Sequence, residues 1–419
     1  MNKKERIIEL KARGLITHEG GGTLEEILSV KRRMYLGVDP TADSLHAGNL
    51  VPITLMKHLA DLGHVPHLLV GGGTGLIGDP RESGERPLID EKAVAKNVAA
   101  LQKQLATLLK KDSIKVFNNA DWLKKVSLLD FLRDIGKYFS VNQLIKRDII
   151  KRRLETDEDS ISYTEFSYSL LQGYDFLHLN TKHAIDLQIG GSDQWANIIS
   201  GVDLIRRKNA TPAYALTTPI VVDKTTGKKF GKSEGNAVWL DPKKTSPLAF
   251  YQFWINVSDE NVVEYLRIFS FMTLAQIEKV IADHKKEPHK RLAQKALAKD
   301  ITTFVHGKDV TTSVEKVTGI LYGNQKIAKL SATDKKLILA EAPSAKLTKL
   351  ELTKGISIID ILIKLDLANS KGEARKLIEG KGVSVNGTVV ALDYTITAKD
   401  LKDTLALIRK GKKIGVITS

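Results

Sequence analysis

Residues 34–80 alternate between segments typical of buried strands and a segment with helical spacing. Residues 34–38 form a short apolar run that Asp39 ends, residues 50–60 space their apolar side chains as a helix does, and residues 67–70 form a second apolar run followed by glycines. Strand–helix–strand order favours parallel strands joined by a right-handed crossover. This segment therefore predicts an α/β fold built on a parallel sheet.

The strand pattern extends well beyond this first unit. Strand-like runs recur at residues 114–117, 184–189 and 215–222, and a long amphipathic helix over 93–109 separates them from the first two strands. A chain that keeps alternating in this way adds strands to the same sheet. After about residue 245 the strand-like runs stop.

Residues 246–306 carry helix-start signals instead. Ser246 followed by Pro247 is typical of a capped helix with proline in its first turn. Thr273 and Gln276 match a reciprocal capping box ahead of an apolar run. We therefore predict a helical segment here.

The last segment of the chain has mixed signals. Ser357 can cap one short helix and Ser370 can open a capping box for a second. Asn386 and Gly387 lie between two short β-branched runs, which is the pattern of a hairpin with a primed turn. Two helices and a hairpin predict a small α+β domain.

Positive charge is concentrated in that last segment. The net charge is +15, and residues 321–419 hold 18 Lys and Arg against 10 Asp and Glu, so this quarter of the chain supplies about half of the excess. A basic appendage favours a polyanionic partner, because binding to phosphates releases counterions. The alternative that remains open is a lysine-rich surface that keeps the protein soluble.

The composition excludes several classes of protein. The chain has no cysteine, which excludes disulfides, thiolate nucleophiles, iron–sulfur clusters and zinc sites built on Cys. No run reaches the ~18 apolar residues of a membrane-spanning helix, and the charged, amphipathic start lacks the apolar stretch of a signal peptide. These features predict a cytosolic protein.

Two short motifs imitate nucleotide sites without the context that such sites need. Gly73, Gly75 and Gly78 match G-x-G-x-x-G, but loop residues follow them where a dinucleotide site needs a helix. The sequence from Gly231 resembles the end of a Walker A loop, but Thr226 stands where that loop needs its first glycine. We therefore disfavour both the NAD site and the P-loop.

A stronger candidate lies where the first predicted strand passes into the first helix. If Asp43 or Ser44 caps that helix, His46 and Asn49 lie three residues apart on one face of its first turn. Unpaired N–H groups and the helix dipole favour an anion there. Gly48 leaves room for a planar ring to approach. A lone histidine at a helix start is more often a cap or a surface residue.

Other motifs give this site its context. The H-x-G-N sequence of residues 46–49, followed far downstream by Lys229-Phe-Gly-Lys232-Ser233, resembles the HIGH and KMSKS signatures of class I aminoacyl-tRNA synthetases. Residues 163–176 resemble the amino-acid pocket helix of bacterial-type tyrosyl-tRNA synthetases, and residues 188–197 resemble their nucleoside segment. Residues 357–419 resemble an S4 RNA-binding domain. The resemblance covers almost the whole chain.

The resemblance implies a three-part α/β protein with a linker. The expected parts are a Rossmann-like parallel-sheet catalytic domain over 1–228, a lysine loop and α-helical anticodon-recognition domain over 229–322, a linker over 323–352 and an S4-like RNA-binding domain over 353–419. It also implies a cytoplasmic homodimer. The expected activity is tyrosine–tRNA ligation, with L-tyrosine, ATP and tRNA(Tyr) as substrates. The resemblance implies no tightly held cofactor and no protein metal site, with Mg²⁺ bound only through the ATP phosphates.

The same resemblance assigns roles to individual residues. The catalytic set is His46, Asn49, Thr41, Lys229, Lys232 and Ser233. The tyrosine-binding set is Tyr35, Asp79, Tyr168, Gln172, Asp175 and Asn119. The ATP-binding set is Gly37, Asp39, Gly48, Gly191, Asp193, Gln194 and Lys232. The tRNA-binding set in the tail is Lys371, Arg375, Lys376 and Lys381. At least one of Arg81 and Arg86 is expected to face phosphate.

Some residues depart from the family pattern. Leu36 stands where members often carry a small polar residue against the ribose, and the loop after Asp79 lacks a usual lysine. Three alternatives remain open: a tryptophan–tRNA ligase, a non-catalytic RNA-binding protein on a synthetase scaffold, and an NAD-dependent oxidoreductase. The first would place an acceptor for an indole N–H where Tyr35 and Asp175 form a phenol pair.

Overall fold

The computed structural model of the chain describes residues 3–80, 89–109, 114–155, 160–233, 236–323, 325–327, 329–411 and 413–419. The chain forms two compact units. One comprises Met1–Asp241 and Asn256–Asp300, and the other comprises Pro242–Ile255 and Ile301–Ser419. The predicted domain boundaries at residues 228, 322 and 352 remain a prediction.

A six-stranded sheet forms the centre of the first unit. Its strands are β1 (His18–Gly20), β2 (Arg33–Val38), β3 (Val65–Val70), β4 (Val116–Asn118), β5 (Leu187–Gly191) and β6 (Tyr214–Thr218). Their order is β1-β6-β5-β2-β3-β4, with β1 antiparallel to β6 and the other five strands parallel. The predicted parallel α/β sheet is confirmed. Strand β1 was not predicted, because three residues carry too little pattern.

Helices surround this sheet and extend the first unit. They are α1 (Lys3–Ala12), α2 (Leu24–Ser29), α3 (Leu50–Asp61), α4 (Glu91–Leu109), α5 (Ala120–Leu123), α6 (Leu128–Asp134), α7 (Val141–Leu144), α8 (Asp148–Leu154), α9 (Tyr163–His183), α10 (Trp195–Asn209), α12 (Asp259–Phe269) and α13 (Leu274–Lys286). A two-stranded hairpin, β7 (Lys232–Ser233) and β8 (Asn236–Ala237), completes it. Thr273 and Gln276 form the predicted capping box at α13.

The topology fixes where a ligand site can lie. Strand β2 comes first in the parallel set, and later strands join it on both sides, β3 on one and β5 on the other. At such a switch in strand order, the loops leaving the carboxyl ends of neighbouring strands diverge and leave a crevice. The carboxyl ends of β2, β3 and β5 therefore form the base of the site described below.

The second unit begins with helices. They are α11 (Pro247–Ile255), α15 (Lys308–Leu321) and α16 (Ala332–Glu341), and α14 (Leu292–His306) continues into it from the first unit. Ser246 accepts a hydrogen bond from the Ala249 backbone N–H at 3.0 Å, which confirms the predicted cap of α11. The helical prediction for residues 246–306 is likewise confirmed.

The tail is an α+β arrangement, as predicted, but with a larger sheet. It contains α17 (Lys349–Lys354), α18 (Ile358–Lys364), α19 (Lys371–Glu379), β9 (Ser344–Lys346), β10 (Ile356–Ser357), β11 (Val383–Val385), β12 (Thr388–Val389), β13 (Thr395–Ile396), β14 (Leu405–Lys410) and β15 (Lys413–Thr418). Five strands form one sheet in the order β12-β11-β14-β15-β9. Asn386 and Gly387 both have positive φ between β11 and β12, which confirms the primed hairpin turn.

Residues 323–352, predicted as a linker, carry ordered elements. Helix α16 buries Leu337 and Ile338, and β9 pairs in parallel with β15. The Arg409 guanidinium of β14 donates to the Ile320 carbonyl at 2.8 Å, so the tail sheet is bonded to the end of α15. A helix with two buried apolar residues and a three-residue strand leave almost no periodic signal, which is why the sequence indicated a linker.

No helix among the described residues is both long and apolar enough to cross a membrane.

Candidate active site

A cavity of about 410 Å³ opens at the carboxyl ends of β2, β3 and β5. It gathers nearly all the residues predicted for catalysis, tyrosine and ATP. The predicted residues that line it are Tyr35, Gly37, Asp39, Thr41, His46, Gly48, Asn49, Asp79, Asn119, Tyr168, Gln172, Asp175, Gly191, Asp193, Gln194 and Lys229. The backbones of Lys232 and Ser233 lie in β7. Their side chains, and Arg81 and Arg86, lie outside the described part of the chain.

One end of the cavity is closed by two buried polar side chains. Tyr35, on β2, is fully buried, and Asp175, on α9, is 2% exposed. The Asp175 carboxylate accepts hydrogen bonds from the Asn119 amide at 2.8 Å and from the Trp122 indole N–H at 2.7 Å. The Tyr35 hydroxyl has no hydrogen-bond partner among the described residues. A buried hydroxyl without a partner is costly, so this end of the cavity is suited to a polar ligand group.

Burial controls the ionisation of both Asp175 and Tyr35. It raises the pKa of the Asp175 carboxyl from 3.8 to about 7, although the hydrogen bonds from Asn119 and Trp122 act in the opposite direction. The negative charge of Asp39 raises that pKa further. Burial, followed by the Asp175 charge, raises the pKa of the Tyr35 hydroxyl. Near neutral pH, Tyr35 is therefore a neutral hydroxyl and Asp175 is poised to ionise when a donor approaches.

Asn119 connects several loops behind this end. Its amide nitrogen also donates to the Thr74 hydroxyl at 2.9 Å, and its amide oxygen accepts from the Gly73 backbone N–H at 2.7 Å. The glycine-rich segment that imitates a dinucleotide motif therefore serves as a turn bonded to Asn119. It contains a short 3-10 turn, Thr74–Leu76, and no long helix begins there. The geometry thus lacks the helix N-terminus that an NAD site needs.

A second carboxylate lies farther along the cavity wall. The two oxygens of Asp79 accept hydrogen bonds from the Gln194 amide at 2.7 Å and the Asn197 amide at 3.1 Å. These two neutral donors fix the orientation of the Asp79 carboxylate. An anionic group held in this way can bind a cation.

Tyr168 and Asp39 form a third polar group. The Tyr168 hydroxyl donates to one oxygen of Asp39 at 2.8 Å, and the Thr74 hydroxyl donates to the other at 2.8 Å. Burial raises the pKa of Tyr168, and the charges of Asp39 and Asp79 raise it further. The ATP-binding role predicted for Asp39 remains a prediction; its carboxylate also holds Tyr168, from the predicted tyrosine-binding set.

The predicted cap of the first helix is wrong. His46, not Asp43 or Ser44, caps the 3-10 turn Ala47–Asn49 that precedes α3, because its ring Nδ1 accepts from the Gly48 backbone N–H at 3.1 Å. The Asn49 side-chain oxygen accepts from the His46 backbone N–H at 3.0 Å. Since Nδ1 accepts, the neutral His46 ring carries its proton on Nε2 and can donate there.

The two signature segments meet through glycines. A Cβ on Gly231 would lie 2.6 Å from the Gly48 backbone nitrogen, and Gly231 has φ +83°. A Cβ on Gly48 would lie 2.9 Å from the His46 ring and 3.1 Å from the Phe230 carbonyl oxygen. The Ala47 N–H also donates to the Val238 carbonyl at 2.8 Å. Gly48 therefore admits the backbone of the lysine loop, a reason for glycine that the sequence did not indicate.

Residues 222–229, which lead into the lysine loop, form a hydrogen-bonded hairpin. Its arms pair between Val222 and Lys229, and its turn contains Gly227 at φ +69°. The Asp223 carboxylate at the turn accepts from the Asn261 amide of α12 at 2.8 Å. Phe230 is buried against two aromatic rings of the same helix. These contacts leave Lys229 exposed at the rim of the cavity.

Glycines also shape the predicted nucleoside region. A Cβ on Gly191 would lie 2.4 Å from an Asp193 carboxylate oxygen, so only glycine lets that side chain fold back beside β5. A Cβ on Gly37 would meet nothing within 4 Å, so this glycine faces open space in the cavity. Leu36 also lines the cavity and offers no polar atom. Among the described residues, no cluster of three or more His, Asp or Glu could hold a metal ion.

Several residues of the site were not predicted. Trp122 and Thr74 bond directly to predicted site residues. Gln188, which begins the predicted nucleoside segment but was assigned no role, lines the cavity while only 3% exposed. Trp122 belongs to no motif recognised in the sequence and lies 53 positions from Asp175. The only indication of Trp122 in the sequence was weak, since it is a tryptophan that follows a strand end and lies three residues after Asn119.

The predicted tRNA-binding residues of the tail share one region of the surface. Lys371, Arg375 and Lys376 lie on α19 and Lys381 follows it, and all four are exposed. Lys371 also pairs with Asp360 at 2.8 Å, where both side chains are at least half exposed. An exposed pair of this kind contributes little to stability, and the tRNA-binding role of this surface remains a prediction.

Comparisons with known proteins agree with this geometry. Residues 29–323 match the family of class I tRNA synthetases for tryptophan and tyrosine, and residues 336–416 match the C-terminal domain of tyrosine–tRNA ligases. The tyrosine–tRNA ligase of Streptococcus mutans is 43% identical over 97% of both chains, and that of Roseiflexus castenholzii is 44% identical over 97% of both chains. A truncated mitochondrial tyrosyl-tRNA synthetase from Aspergillus nidulans superposes with a TM-score of 0.65, at 29% identity over 74% of this chain and 92% of that one.

The family match, the near full-length relatives and the cavity all lead to one assignment. This chain belongs to the tyrosyl-tRNA synthetases of the bacterial type, within the class I aminoacyl-tRNA synthetases.

Proposed function

We propose that this chain activates L-tyrosine with ATP and transfers it to tRNA(Tyr). In the first step a tyrosine carboxylate oxygen bonds to the α-phosphorus of ATP, and the bond to the β-phosphate breaks to release pyrophosphate. In the second step a ribose hydroxyl of the terminal adenosine of tRNA attacks the activated carbonyl, and AMP leaves. ATP is therefore a substrate, as it is for the family.

The observation that carries this proposal is the buried polar end of the cavity, formed by Tyr35 and Asp175. The Tyr35 hydroxyl, which has no partner among the described residues, can donate to the oxygen of a substrate phenol, and the Asp175 carboxylate can accept a hydrogen bond from that phenol. Phenylalanine would leave both groups buried without that partner. Tyrosyl-tRNA synthetase is itself the standard case of such discrimination against phenylalanine, so its size is not inferred from this structure.

The rest of the amino acid fits the next groups along the wall. Asp79 is oriented by two amide donors and can bind the α-ammonium, with the Tyr168 hydroxyl and Gln172 beside it. Asp39 holds that hydroxyl. This leaves the tyrosine carboxylate directed toward the predicted nucleotide region.

The triphosphate needs positive charge and hydrogen-bond donors, not a base. The attacking carboxylate is already ionised at neutral pH, so catalysis depends on position and on charge stabilisation. His46 through Nε2–H, Thr41, Asn49 and Lys229 line this part of the cavity. We assign Lys232 and Ser233 to the same role from the sequence signature, and Mg²⁺ enters as the ATP complex.

Transfer of tyrosine requires a surface for tRNA, and we assign the exposed cations of α19 to it. Replacing Lys371, Arg375 and Lys376 by glutamate should leave adenylation unchanged and weaken tRNA charging. The salt slope of tRNA binding should also fall by about one for each phosphate that these side chains no longer bind. Charging that is unaffected by this change at every salt concentration would remove the tail surface from the proposal.

A homodimer is part of the same proposal. Large apolar side chains are exposed over consecutive elements of the first unit, and a second copy of the chain is the proposed partner. They are Leu128, Leu129, Leu132, Val141, Leu154 and Tyr163. Sedimentation should show a dimer for the native chain and a monomer for Leu129→Asp. A native monomer would contradict this part. We also place the protein in the cytoplasm, where such a reaction meets its tRNA.

Tyrosine-dependent exchange of pyrophosphate into ATP tests the central claim. The reaction should proceed with tyrosine and not with tryptophan. Exchange with tryptophan alone would identify a tryptophan–tRNA ligase. No exchange, together with intact tRNA binding, would favour a non-catalytic RNA-binding protein.

A further inference from the structure

Arg147 lies outside the cavity but is bonded to one of its walls. It is the residue immediately before α8, and its guanidinium donates to the Asn197 side-chain oxygen of α10 at 3.2 Å. A second guanidinium nitrogen donates to the Ser200 hydroxyl, one turn farther along α10. Arg147 therefore joins α8 to the first turns of the helix that supports Asp79.

The contact fixes which way the Asn197 amide points. A guanidinium can only donate, so it must face the amide oxygen, and the amide nitrogen must then face the opposite way. That nitrogen donates to Asp79 at 3.1 Å and approaches the Gln194 amide oxygen at 3.3 Å. Without the guanidinium, the Asn197 amide could turn its oxygen toward Asp79 and repel it.

The arrangement keeps a cation close to Asp79 without an ion pair between them. A direct Arg–Asp pair would occupy the carboxylate and oppose binding of an ammonium. An intervening amide transmits orientation, and a hydrogen bond to its carbonyl strengthens its N–H as a donor. Burial lowers the pKa of Arg147 to about 10, which still leaves it charged at neutral pH.

We propose that Arg147 is a positioning residue for amino-acid binding, acting through Asn197 to hold Asp79 in the orientation that receives the substrate ammonium. This inference rests on the proposed function, because the ammonium role of Asp79 belongs to it. Arg147 touches neither substrate in this proposal. Its influence should therefore appear in the affinity for tyrosine and not in the chemical step.

The test is Arg147→Met, measured by tyrosine-dependent pyrophosphate exchange. The KM for tyrosine should rise about tenfold, the effect of weakening one hydrogen bond to a charged group. The kcat and the KM for ATP should stay within about twofold, because the missing interaction serves ground state and transition state alike. Arg147→Lys keeps a cation and one hydrogen-bond donor, so its tyrosine KM should lie between those of the native enzyme and Arg147→Met.

Two further variants make the test specific. Arg206→Met removes an exposed arginine of α10 that pairs with Asp203, and it should behave as the native enzyme. In Asn197→Ala, the residue that connects Arg147 to Asp79 is missing. Adding Arg147→Met to that variant should then raise the tyrosine KM no further.

Each outcome has a clear meaning. An unchanged tyrosine KM in Arg147→Met, equal losses in tyrosine and ATP parameters, or additive effects with Asn197→Ala would each overturn the inference. Failure of the native enzyme to carry out any tyrosine-dependent exchange would instead overturn the proposed function. The two failures are therefore distinguishable in a single set of assays.

Discussion

The two ends of the cavity are built in different ways. The phenol end sets Tyr35 of β2 against Asp175 of α9, and both are buried with their neighbours in regular elements. The end assigned to the phosphates has His46 as the cap of a 3-10 turn and Lys229 at the end of an exposed hairpin. In the proposed function, the residues that select the amino acid are buried in regular elements, whereas the residues assigned to the phosphates lie on short turns and loops. Substitutions at the two ends should therefore affect different kinetic parameters.

The largest effect is expected at the phosphate end. Lys232→Ala should lower the kcat of adenylation by about two to three orders of magnitude, the usual cost of losing one donor to transition-state charge. The KM for tyrosine should change little. Presteady-state adenylate formation measures both. Lys228→Ala, which removes an exposed lysine four residues earlier in the chain, is the matched control and should be near native. Weak tyrosine binding with a normal rate would break the comparison.

The next effect is expected at the phenol end. Asp175→Ala should reduce the preference for tyrosine over phenylalanine by about a hundredfold, because it removes the buried acceptor proposed for the phenol hydroxyl. The ratio of kcat/KM values in exchange assays with the two amino acids measures this. Asp360→Ala, on the surface of the tail, should leave the ratio unchanged. A variant that still prefers tyrosine as strongly as the native enzyme would remove Asp175 from the phenol site.

A moderate effect is expected where the signature segments touch. Gly231→Ala must shift the lysine loop, because its Cβ would fall 2.6 Å from the Gly48 nitrogen at a φ that favours glycine. We expect adenylation to slow about tenfold, an effect of misplacing catalytic groups, with discrimination against phenylalanine retained. Gly227→Ala, whose Cβ would meet no atom within 4 Å, separates backbone strain from this contact. Loss of discrimination in Gly231→Ala would show that the two ends are coupled.

The smallest effect concerns stability and pH. The pKa of Asp175 is raised from 3.8 to about 7 in the folded chain, so the native state holds a proton there that the unfolded state has released. Its contribution to the free energy of unfolding must therefore decrease as pH rises from about 4 to about 7. Asp175→Asn should show a flatter pH dependence over that range in urea denaturation. Identical profiles for native and variant chains would mean that Asp175 titrates normally.

Local patterns made much of the fold predictable. The runs at residues 34–38 and 67–70, with a helix between them, indicated the parallel sheet, and the caps at Ser246 and Thr273 indicated helices. Strands β14 and β15 were not predicted. They alternate less clearly than the hairpin before them, because the residues of β14 are buried on both faces at its start.

Contacts between distant residues were the limit of prediction at the site. The signature residues were identified because family motifs mark them. Trp122 and Arg147 carry no such mark, and only the fold brings them to Asp175 and Asn197. Asp43 or Ser44 was expected to cap the first helix, with His46 in its first turn. Instead, the His46 ring itself caps the 3-10 turn that precedes the helix. An imidazole nitrogen that accepts from a backbone N–H cannot be distinguished from a free one in a sequence.

The close approach of Gly48 and Gly231 bears on attempts to redesign this enzyme for unnatural amino acids. Neither position can acquire even a methyl group without displacing the segment that packs against it. Libraries that randomise the cavity wall around Tyr35 and Asp175 leave the packing of Gly48 against Gly231 intact. Libraries that include either glycine would mostly yield variants that bind a new amino acid but do not adenylate it.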